Sequence, residues 1–240
     1  LNEIAALAGP DTRLPGDILF CETHLATATG DPILLVDPNP GPARVGAGLA
    51  DAADRLECDL LVLVDVGGDV IAHGDEPGLA SPLADAVLLA ASAHVGELAT
   101  LGAIIGAGCD GELEIDEVLS RYAEIAVAGG GRGAVGLEPA LLDRVEAAIA
   151  DVPTEASAMA VRSARGETGP VPIRNGRRTV MLSPVAGLVL GFDPAIAIAT
   201  AARCAAAVMH ADSLRHGNTL LNDLGIRTEL DYEIGLAEQA

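Results

Sequence analysis

The apolar run CDLLVLVDVGG at residues 58–68 restricts the folds open to this chain more than any other feature. It contains no polar alternation before Asp65, which is typical of a strand covered on both faces. Other strand-like runs lie at residues 17–20, 31–37, 99–108 and 179–190, the last with an interruption expected at Pro184. Helical patterns lie at 42–57, 81–95, 114–128, 138–152 and 194–211. This alternation predicts an α/β protein with a Rossmann-like three-layer fold, in which helices flank a mostly parallel sheet.

The segments between these runs predict turns, loops and short helices. The glycine-rich GGGRG at residues 129–133 predicts a turn or mobile loop. Residues 163–178 are polar and rich in Gly, Pro and Arg, which predicts a flexible exposed loop or lid. The tail predicts two short helices around Gly225. No segment has the composition of a linker, so we expect residues 1–240 to form a single α/β domain.

The charge and cysteine content of the chain exclude several partners. With 35 acidic and 14 basic residues the formal net charge is −21, so neither nucleic acid nor an anionic membrane is expected to bind. Every basic residue is Arg, which excludes a lysine Schiff base and a P-loop lysine. The four cysteines lack CxxC spacing and no run of 18 apolar residues occurs, so we expect a cytoplasmic protein without a disulfide framework.

Two of the predicted strands end in acidic, glycine-containing loops. DVGGDVIAHGDE follows one strand at residues 65–76, and GAGCDGELE follows the next at 106–114. If the strands are neighbours, their carboxyl ends meet at one sheet edge, where such folds bind ligands. Four carboxylates would converge there and would repel one another unless a cation or a cationic substrate neutralised them: Asp65, Asp69, Asp110 and Glu112. Mg²⁺ or Mn²⁺ suits such oxygen ligands. The alternative is that they face solvent, cap helices or bond to turn amides.

The first loop also contains candidates for proton transfer and for ligand contact. His73, Glu76 and Asp69 are candidate catalytic residues, because a histidine near carboxylates can act as a general base. A surface loop position is the alternative for His73. The backbone of Gly67 and Gly68 is expected to lie against the ligand.

The second loop, GAGCDG at residues 106–111, matches the GxGxxG pattern of dinucleotide-binding loops. Gly106 and Gly108 are therefore candidate cofactor-binding residues, and nucleotide binding stays open. Because Asp110 and Glu112 would repel a phosphate, tight-turn glycines are the favoured explanation. Cys109 is a weaker candidate nucleophile, since these acids oppose the effect of a helix N-terminus on its thiol.

Two further features have both a structural and a functional interpretation. Arg174, Arg177 and Arg178 could clamp an anionic group, although a solvated loop is the favoured explanation. Asp85, in the first turn of an apolar helix, could interact with the helix dipole or orient a group in the 65–76 loop.

Three motifs, in this order, carry a resemblance to a known family. VDVGGDVIAHGDEPGLASPLADA, GAGCDGELE and NDLGIRTELDYE together resemble the domain of unknown function 1152 family, over roughly residues 15–235. The resemblance implies an α/β, enzyme-like protein and assigns no catalytic residues. Members of that family open with a glycine-rich strand and turn ending in Asp. The sequence does not include that segment, either through trimming or through loss in a diverged member, which makes nucleotide binding a weaker expectation.

These observations favour an enzyme that acts on a small polar metabolite by metal-assisted hydrolysis or group transfer. Redox chemistry is not favoured, because no redox cofactor pattern is present. The alternative is a non-catalytic ligand-binding or partner subunit that retains the fold. The apolar helices predicted at residues 81–95 and 194–211 could pack in a homo-oligomer or against a protein partner as readily as against the sheet.

Overall fold

A computed structural model describes residues 1–13 and 16–237 as a mixed α/β structure. The strands are β1 (Ala5–Ala8), β2 (Ile33–Val36), β3 (Leu60–Val66), β4 (Ala99–Ile105), β5 (Gly131–Gly136), β6 (Gly169–Ile173), β7 (Arg178–Leu182) and β8 (Leu188–Phe192). The helices are α1 (Cys21–Thr29), α2 (Pro42–Arg55), α3 (Pro82–Ala91), α4 (Ile115–Val127), α5 (Pro139–Ile149), α6 (Glu155–Ala164), α7 (Pro194–Ala199), α8 (Arg203–Val208), α9 (Leu214–Asp223) and α10 (Glu229–Ala237).

The main sheet has the strand order β3-β4-β8-β5 and mixed strand directions. β3 and β4 are parallel, whereas β8 runs antiparallel to both β4 and β5. The ribbons β1–β2 and β6–β7 are also antiparallel. The α/β class is therefore confirmed, but the mostly parallel sheet of a Rossmann-like fold is not. β3 was predicted to be covered on both faces, but Leu60, Val62 and Val64 are 47%, 42% and 61% exposed on one of them. An apolar run thus predicts a strand without giving its direction or the cover on each face.

Three apolar clusters form the interior. The largest joins α3, α4, α8 and α9 to β4 and β8. In this cluster the Phe192 ring lies over Gly102, where a Cβ atom would come within 2.2 Å of the ring. A second cluster packs α6 and the β6–β7 hairpin on Cys109, and a third packs α2 against the end of α3. The second cluster therefore holds the hairpin over the loop that follows β4.

Most of the predicted elements around β3 and β4 are confirmed. The helices predicted at 42–57, 81–95, 114–128 and 138–152 correspond to α2, α3, α4 and α5. The two short helices around Gly225 are α9 and α10. None of the helices within residues 1–13 and 16–237 combines the length and apolarity needed to cross a membrane.

Several local predictions differ from the structure. Residues 17–20 form no strand: Asp17 lies in a turn with a φ of 61°, Ile18 makes an isolated bridge, and the next two residues are irregular. The turn predicted in GGGRG is found at Gly129, but the chain then enters the edge strand β5, which pairs with β8 across an irregular register. The interruption expected at Pro184 is confirmed, and a turn there divides the run at 179–190 into β7 and β8. The helix predicted at 194–211 breaks between α7 and α8, where the Thr200 hydroxyl donates to the Ile196 carbonyl and competes with the helix.

The segment 163–178 also differs from its predicted loop. It contains the end of α6, the strand β6 and the tight turn to β7, in which Arg174 and Asn175 have φ values of 51° and 57°. Both prolines of β6 lie on a strand that pairs only with β7 within the described residues, and edge strands tolerate proline. Movement of this hairpin as a lid stays a prediction.

Candidate functional site

The candidate site lies where β3 and β4 end side by side. The two strands pair in parallel from Leu60 opposite Ala99 to Val66 opposite Ile105. The Gly108 amide then donates to the Gly67 carbonyl at 2.7 Å, which ties the two following loops together. The acidic loops at 65–76 and 106–114 therefore meet at one sheet edge.

The glycines after β3 allow a carboxylate to approach the backbone. Gly67 has a φ of +132°, and a Cβ atom there would lie 2.3 Å from the Asp110 Cγ atom. A Cβ atom on Gly68 would lie 2.7 Å from a Val118 methyl group. In the structure Asp110 thus occupies the space over Gly67 in which we expected a ligand.

Five carboxylates from the 65–76 loop, α3 and the 106–114 loop form a group that we call the carboxylate cluster: Asp65, Asp69, Asp85, Asp110 and Glu112. Ligand oxygens of Asp65, Asp69 and Asp85 lie within 4.8 Å of one another, and the same holds for Asp69, Asp110 and Glu112. Asp69 belongs to both triads. The four predicted carboxylates are thus brought together, and Asp85 from α3 joins them.

Burial and mutual repulsion raise the pKa of four of these groups. Burial raises the pKa of Asp69 to about 11, with the Asp65 carboxylate adding to the shift. Burial raises the pKa of both Asp85 and Asp110 to about 6, and that of Asp65 well above its ordinary value. The cluster therefore binds protons strongly unless another positive charge neutralises it.

The five carboxylates differ in the hydrogen bonds that they already accept. Asp65 accepts one bond, from the Gly68 amide at 2.6 Å, and Asp110 accepts one from the Glu112 amide at 3.1 Å. Glu112 accepts the amides of Ala80 and Ser81 at 2.8 and 2.9 Å, and the Ser81 hydroxyl at 2.5 Å. Most of the lone pairs of Glu112 thus accept hydrogen bonds from the residues at the start of α3 and are not free for another ligand.

The start of α3 receives a second distant carboxylate from the C-terminal motif NDLGIRTELDYE. Glu229 accepts the Leu83 and Ala84 amides at 3.1 and 2.8 Å. Glu229 is held in place by Asp231, which accepts the Thr228 amide and the side-chain amide of Asn218. The third motif thus satisfies first-turn amides of α3 and holds that helix against the cluster.

His73 and Glu76 form a separate network with α4. The His73 Nε2 atom lies 3.1 Å from Glu124, and Glu76 accepts the His73 and Gly74 amides and the Arg121 guanidinium. Although burial acts in the opposite direction, these hydrogen bonds hold the pKa of Glu76 below its ordinary value. Of the three predicted catalytic residues, His73 and Glu76 thus belong to neither triad of the carboxylate cluster, whereas Asp69 belongs to both.

The GAGCDG loop is a series of tight turns whose amides donate to backbone carbonyls inside and outside the loop. The Gly106 amide donates to Ala186, the Gly108 amide to Gly67, and the Gly111 amide to Gly108. These bonds support the interpretation of Gly106 and Gly108 as turn glycines. Burial raises the pKa of the enclosed Cys109 thiol to about 11, which is unfavourable for a nucleophile.

The three arginines of the β6–β7 hairpin contact protein groups. Arg174 lies 3.6 Å from Glu112, and Arg178 donates to the Gly111 carbonyl at 2.6 Å. Arg177 donates to the Arg174 carbonyl. The contacts of Arg174 and Arg178 connect the hairpin to the loop after β4. Arg174 also places one positive charge beside the carboxylate cluster.

A cleft of about 230 Å³ leads along β3 to the carboxylate cluster. Its lining is apolar except at one end, where Asp65 and Asp85 face it. Val36 of β2 lines the wall opposite β3. The cleft therefore gives a ligand access to two of the five carboxylates.

Comparison with known proteins identifies the family. The family described as "Protein of unknown function (DUF1152)" matches residues 2–237. The chain belongs to this family. No curated protein and no solved structure matches it. The resemblance seen in the three sequence motifs is thereby confirmed.

In this member of the DUF1152 family the sequence indicated some site residues only weakly. Asp85 was recognisable as the one acid in an otherwise apolar helix. No sequence signal linked Glu229 to α3, 145 positions away, or Arg121 to Glu76. Such contacts depend on how the helices pack, which the periodicity of the chain does not specify.

Proposed function

We propose that the protein is an enzyme that binds Mg²⁺ or Mn²⁺ in the carboxylate cluster and carries out hydrolysis or group transfer on a small polar metabolite. The observation that carries the proposal is the pair of carboxylate triads that share Asp69. Clustered buried carboxylates repel one another, and a divalent cation is the group that relieves this repulsion most effectively.

The residues fit such a cation best in the triad of Asp65, Asp69 and Asp85. Their ligand oxygens are within 4.8 Å of one another, which is compatible with metal–oxygen bonds of about 2.0–2.6 Å. The hydrogen bond from Gly68 leaves most of the Asp65 lone pairs free. The second triad fits less well, because Glu112 is committed to α3.

The chemistry divides between the cation and the side chains. A bound divalent cation would supply Lewis-acid activation of a carbonyl or phosphoryl group. Asp65 and Asp85, which line the cleft, would hold the cation where a ligand in the cleft can reach it. Without a cation, burial raises the pKa of Asp85 to about 6, and a bound divalent cation would keep its carboxylate deprotonated as a ligand.

A non-catalytic ligand-binding subunit is the second candidate. It is favoured by the position of His73 and Glu76, which pair with α4 instead of facing the carboxylate cluster. In that case the cleft and the cation would bind a ligand without turnover.

Isothermal titration with Mn²⁺ tests the proposal. We expect binding to the wild type, loss of at least about tenfold in affinity in Asp85→Asn, and no change in the control Asp59→Asn, which alters an exposed carboxylate before β3. The same proteins are assayed on phosphoester, carboxylic ester and amide model substrates. Binding with turnover supports the enzyme, binding without turnover supports the ligand-binding subunit, and no binding to the wild type refutes both.

A further inference from the structure

We propose that Ser81 is the nucleophile of the proposed hydrolysis or group transfer and that Glu112 is its general base. The Ser81 hydroxyl donates to a Glu112 carboxylate oxygen at 2.5 Å. This role rests on the proposed function, because it names the nucleophile that the same reaction would use. It implies that the acyl or phosphoryl group is carried on Ser81 between two half-reactions.

The hydrogen bond between Ser81 and Glu112 has the geometry of an activated hydroxyl. A carboxylate can only accept, so the serine is the donor. A separation of 2.5 Å falls in the range of about 2.5–2.7 Å that is typical of O–H···O⁻ bonds, which are stronger than neutral ones. A serine hydroxyl is a weak nucleophile until an adjacent base accepts its proton. The pair therefore has the contact that activation requires.

The two partners differ in their exposure. Glu112 is 2% exposed, and its second oxygen accepts the amides of Ala80 and Ser81. These two bonds fix the carboxylate with the remaining oxygen on the Ser81 hydroxyl. Ser81 itself is partly exposed. A small molecule can therefore approach the serine, while the base behind it is shielded from water.

Ser81 does not have the structural role that a serine usually has at its position. It is the N-cap residue of α3, where a serine side chain normally accepts an amide of the first turn. Within the described residues the Ser81 side chain accepts no such bond, and Glu229 accepts two first-turn amides in its place. Ser213, the N-cap residue of α9, shows the ordinary arrangement, since its side chain accepts the His216 amide. The cap supplied by Glu229 thus leaves the Ser81 hydroxyl available to Glu112.

The pair lies beside the position proposed for the cation. Glu112 shares a triad with Asp69, in which the ligand oxygens lie within 4.8 Å of one another. Asp85, the proposed ligand from α3, follows Ser81 by about one helical turn. Arg174 lies 3.6 Å from the Glu112 oxygen that the hydroxyl contacts, so a positive charge is also present where negative charge would develop on the substrate.

The reaction has two steps and needs no reactant besides the substrate and water or an acceptor hydroxyl. In the first step the Ser81 oxygen bonds to the carbonyl carbon or phosphorus of the substrate, and its proton passes to Glu112. The bond to the leaving group breaks, and the leaving group takes this proton from Glu112. In the second step water or the acceptor hydroxyl attacks the ester on Ser81 and gives its proton to Glu112. The bond to the serine oxygen breaks, and that oxygen recovers the proton.

Labelling with diisopropyl fluorophosphate tests the role of Ser81, because this reagent phosphorylates a serine hydroxyl that a neighbouring base activates and releases fluoride. We expect a covalent adduct on Ser81 of the wild type, located by peptide mass spectrometry. Glu112→Gln keeps the shape of the side chain but removes the base, and should slow labelling at least about hundredfold. The control Ser213→Ala removes an exposed serine that also donates to a carboxylate, that of Asp212, and should leave labelling of Ser81 unchanged.

Titration with Mn²⁺ separates this role from the proposed function. Ser81→Ala should bind Mn²⁺ as the wild type does, because the proposed ligands are Asp65, Asp69 and Asp85. Mn²⁺ binding by a wild type that forms no adduct on Ser81 would overturn the nucleophile and leave the cation site intact, as would equal labelling of the wild type and Glu112→Gln. An adduct on Ser81 without Mn²⁺ binding would overturn the cation site alone. The labelled position in the wild type decides the assignment even if Glu112→Gln does not fold.

Discussion

Replacement of Asp69 by Asn should stabilise the metal-free protein and remove its response to a divalent cation. Asp69 belongs to both triads, and burial raises its pKa from 3.8 to about 11. The folded state therefore holds a proton that the unfolded chain releases above pH 4. Because the folded pKa is the higher one, the stability that this proton contributes is complete below pH 4 and declines as the pH rises towards 11. An Asn side chain has no ionisable proton, so the stability that it contributes in place of protonated Asp69 does not decline as the pH rises.

The size of the effect follows from this linkage. At pH 8, about four pH units above the ordinary pKa of 3.8, the linkage allows at most about 6 kcal/mol. The proton is shared with the neighbouring Asp65 and Asp85, so we expect Asp69→Asn to gain about 2–4 kcal/mol at pH 8. For a chain of 240 residues this corresponds to a rise of about 5–12 °C in the melting temperature.

Thermal and urea unfolding between pH 4 and pH 8 measure this difference, with and without Mn²⁺. The gain of Asp69→Asn over the wild type should shrink towards zero at pH 4. A concentration of Mn²⁺ one hundred times the dissociation constant should stabilise the wild type by about 2.7 kcal/mol and leave Asp69→Asn unchanged. Asp69→Asn that is less stable than the wild type at pH 8 without metal would contradict this prediction. An equal response of both proteins to Mn²⁺ would contradict it as well.

The remaining predictions concern residues around the carboxylate cluster. Glu229→Ala leaves two first-turn amides of α3 unpaired and should lower the free energy of unfolding in urea by about 1–3 kcal/mol, whereas Glu233→Ala on the same helix should not. Gly67→Ala should cost at least about 2 kcal/mol in the same assay, because its Cβ atom would collide with Asp110, and equal stability would refute that contact. A thiol reagent should label two exposed cysteines rapidly and two buried ones, including Cys109, only on unfolding; fast labelling of Cys109 would contradict its burial.

The sequence was sufficient to predict that the two acidic loops meet, because the residues that indicate it are neighbours along the chain. β3 and β4 are apolar runs, and the acids follow each strand directly. Once the strands are parallel neighbours, their loops have to meet at one edge. Asp85 was accessible to the same reasoning, since an acid in the first turn of an apolar helix requires a partner.

Features that depend on long-range packing were not predictable in this way. The antiparallel insertion of β8 between β4 and β5 leaves no mark on the apolar pattern of its residues. His73 was placed beside the carboxylates from its position in the loop, but α4 brings Arg121 and Glu124 to that loop instead. The β6–β7 hairpin has a polar composition, and its regular structure comes from packing on Cys109.

Anomalous diffraction from crystals grown with Mn²⁺ would show whether the carboxylate cluster binds a metal ion. We expect a single strong anomalous peak about 2.0–2.6 Å from oxygens of Asp65, Asp69 and Asp85, where Asp65 and Asp85 line the cleft. A map at saturating Mn²⁺ without a peak in the carboxylate cluster, with Asp69 still bonded to its neighbours through a proton, would contradict it.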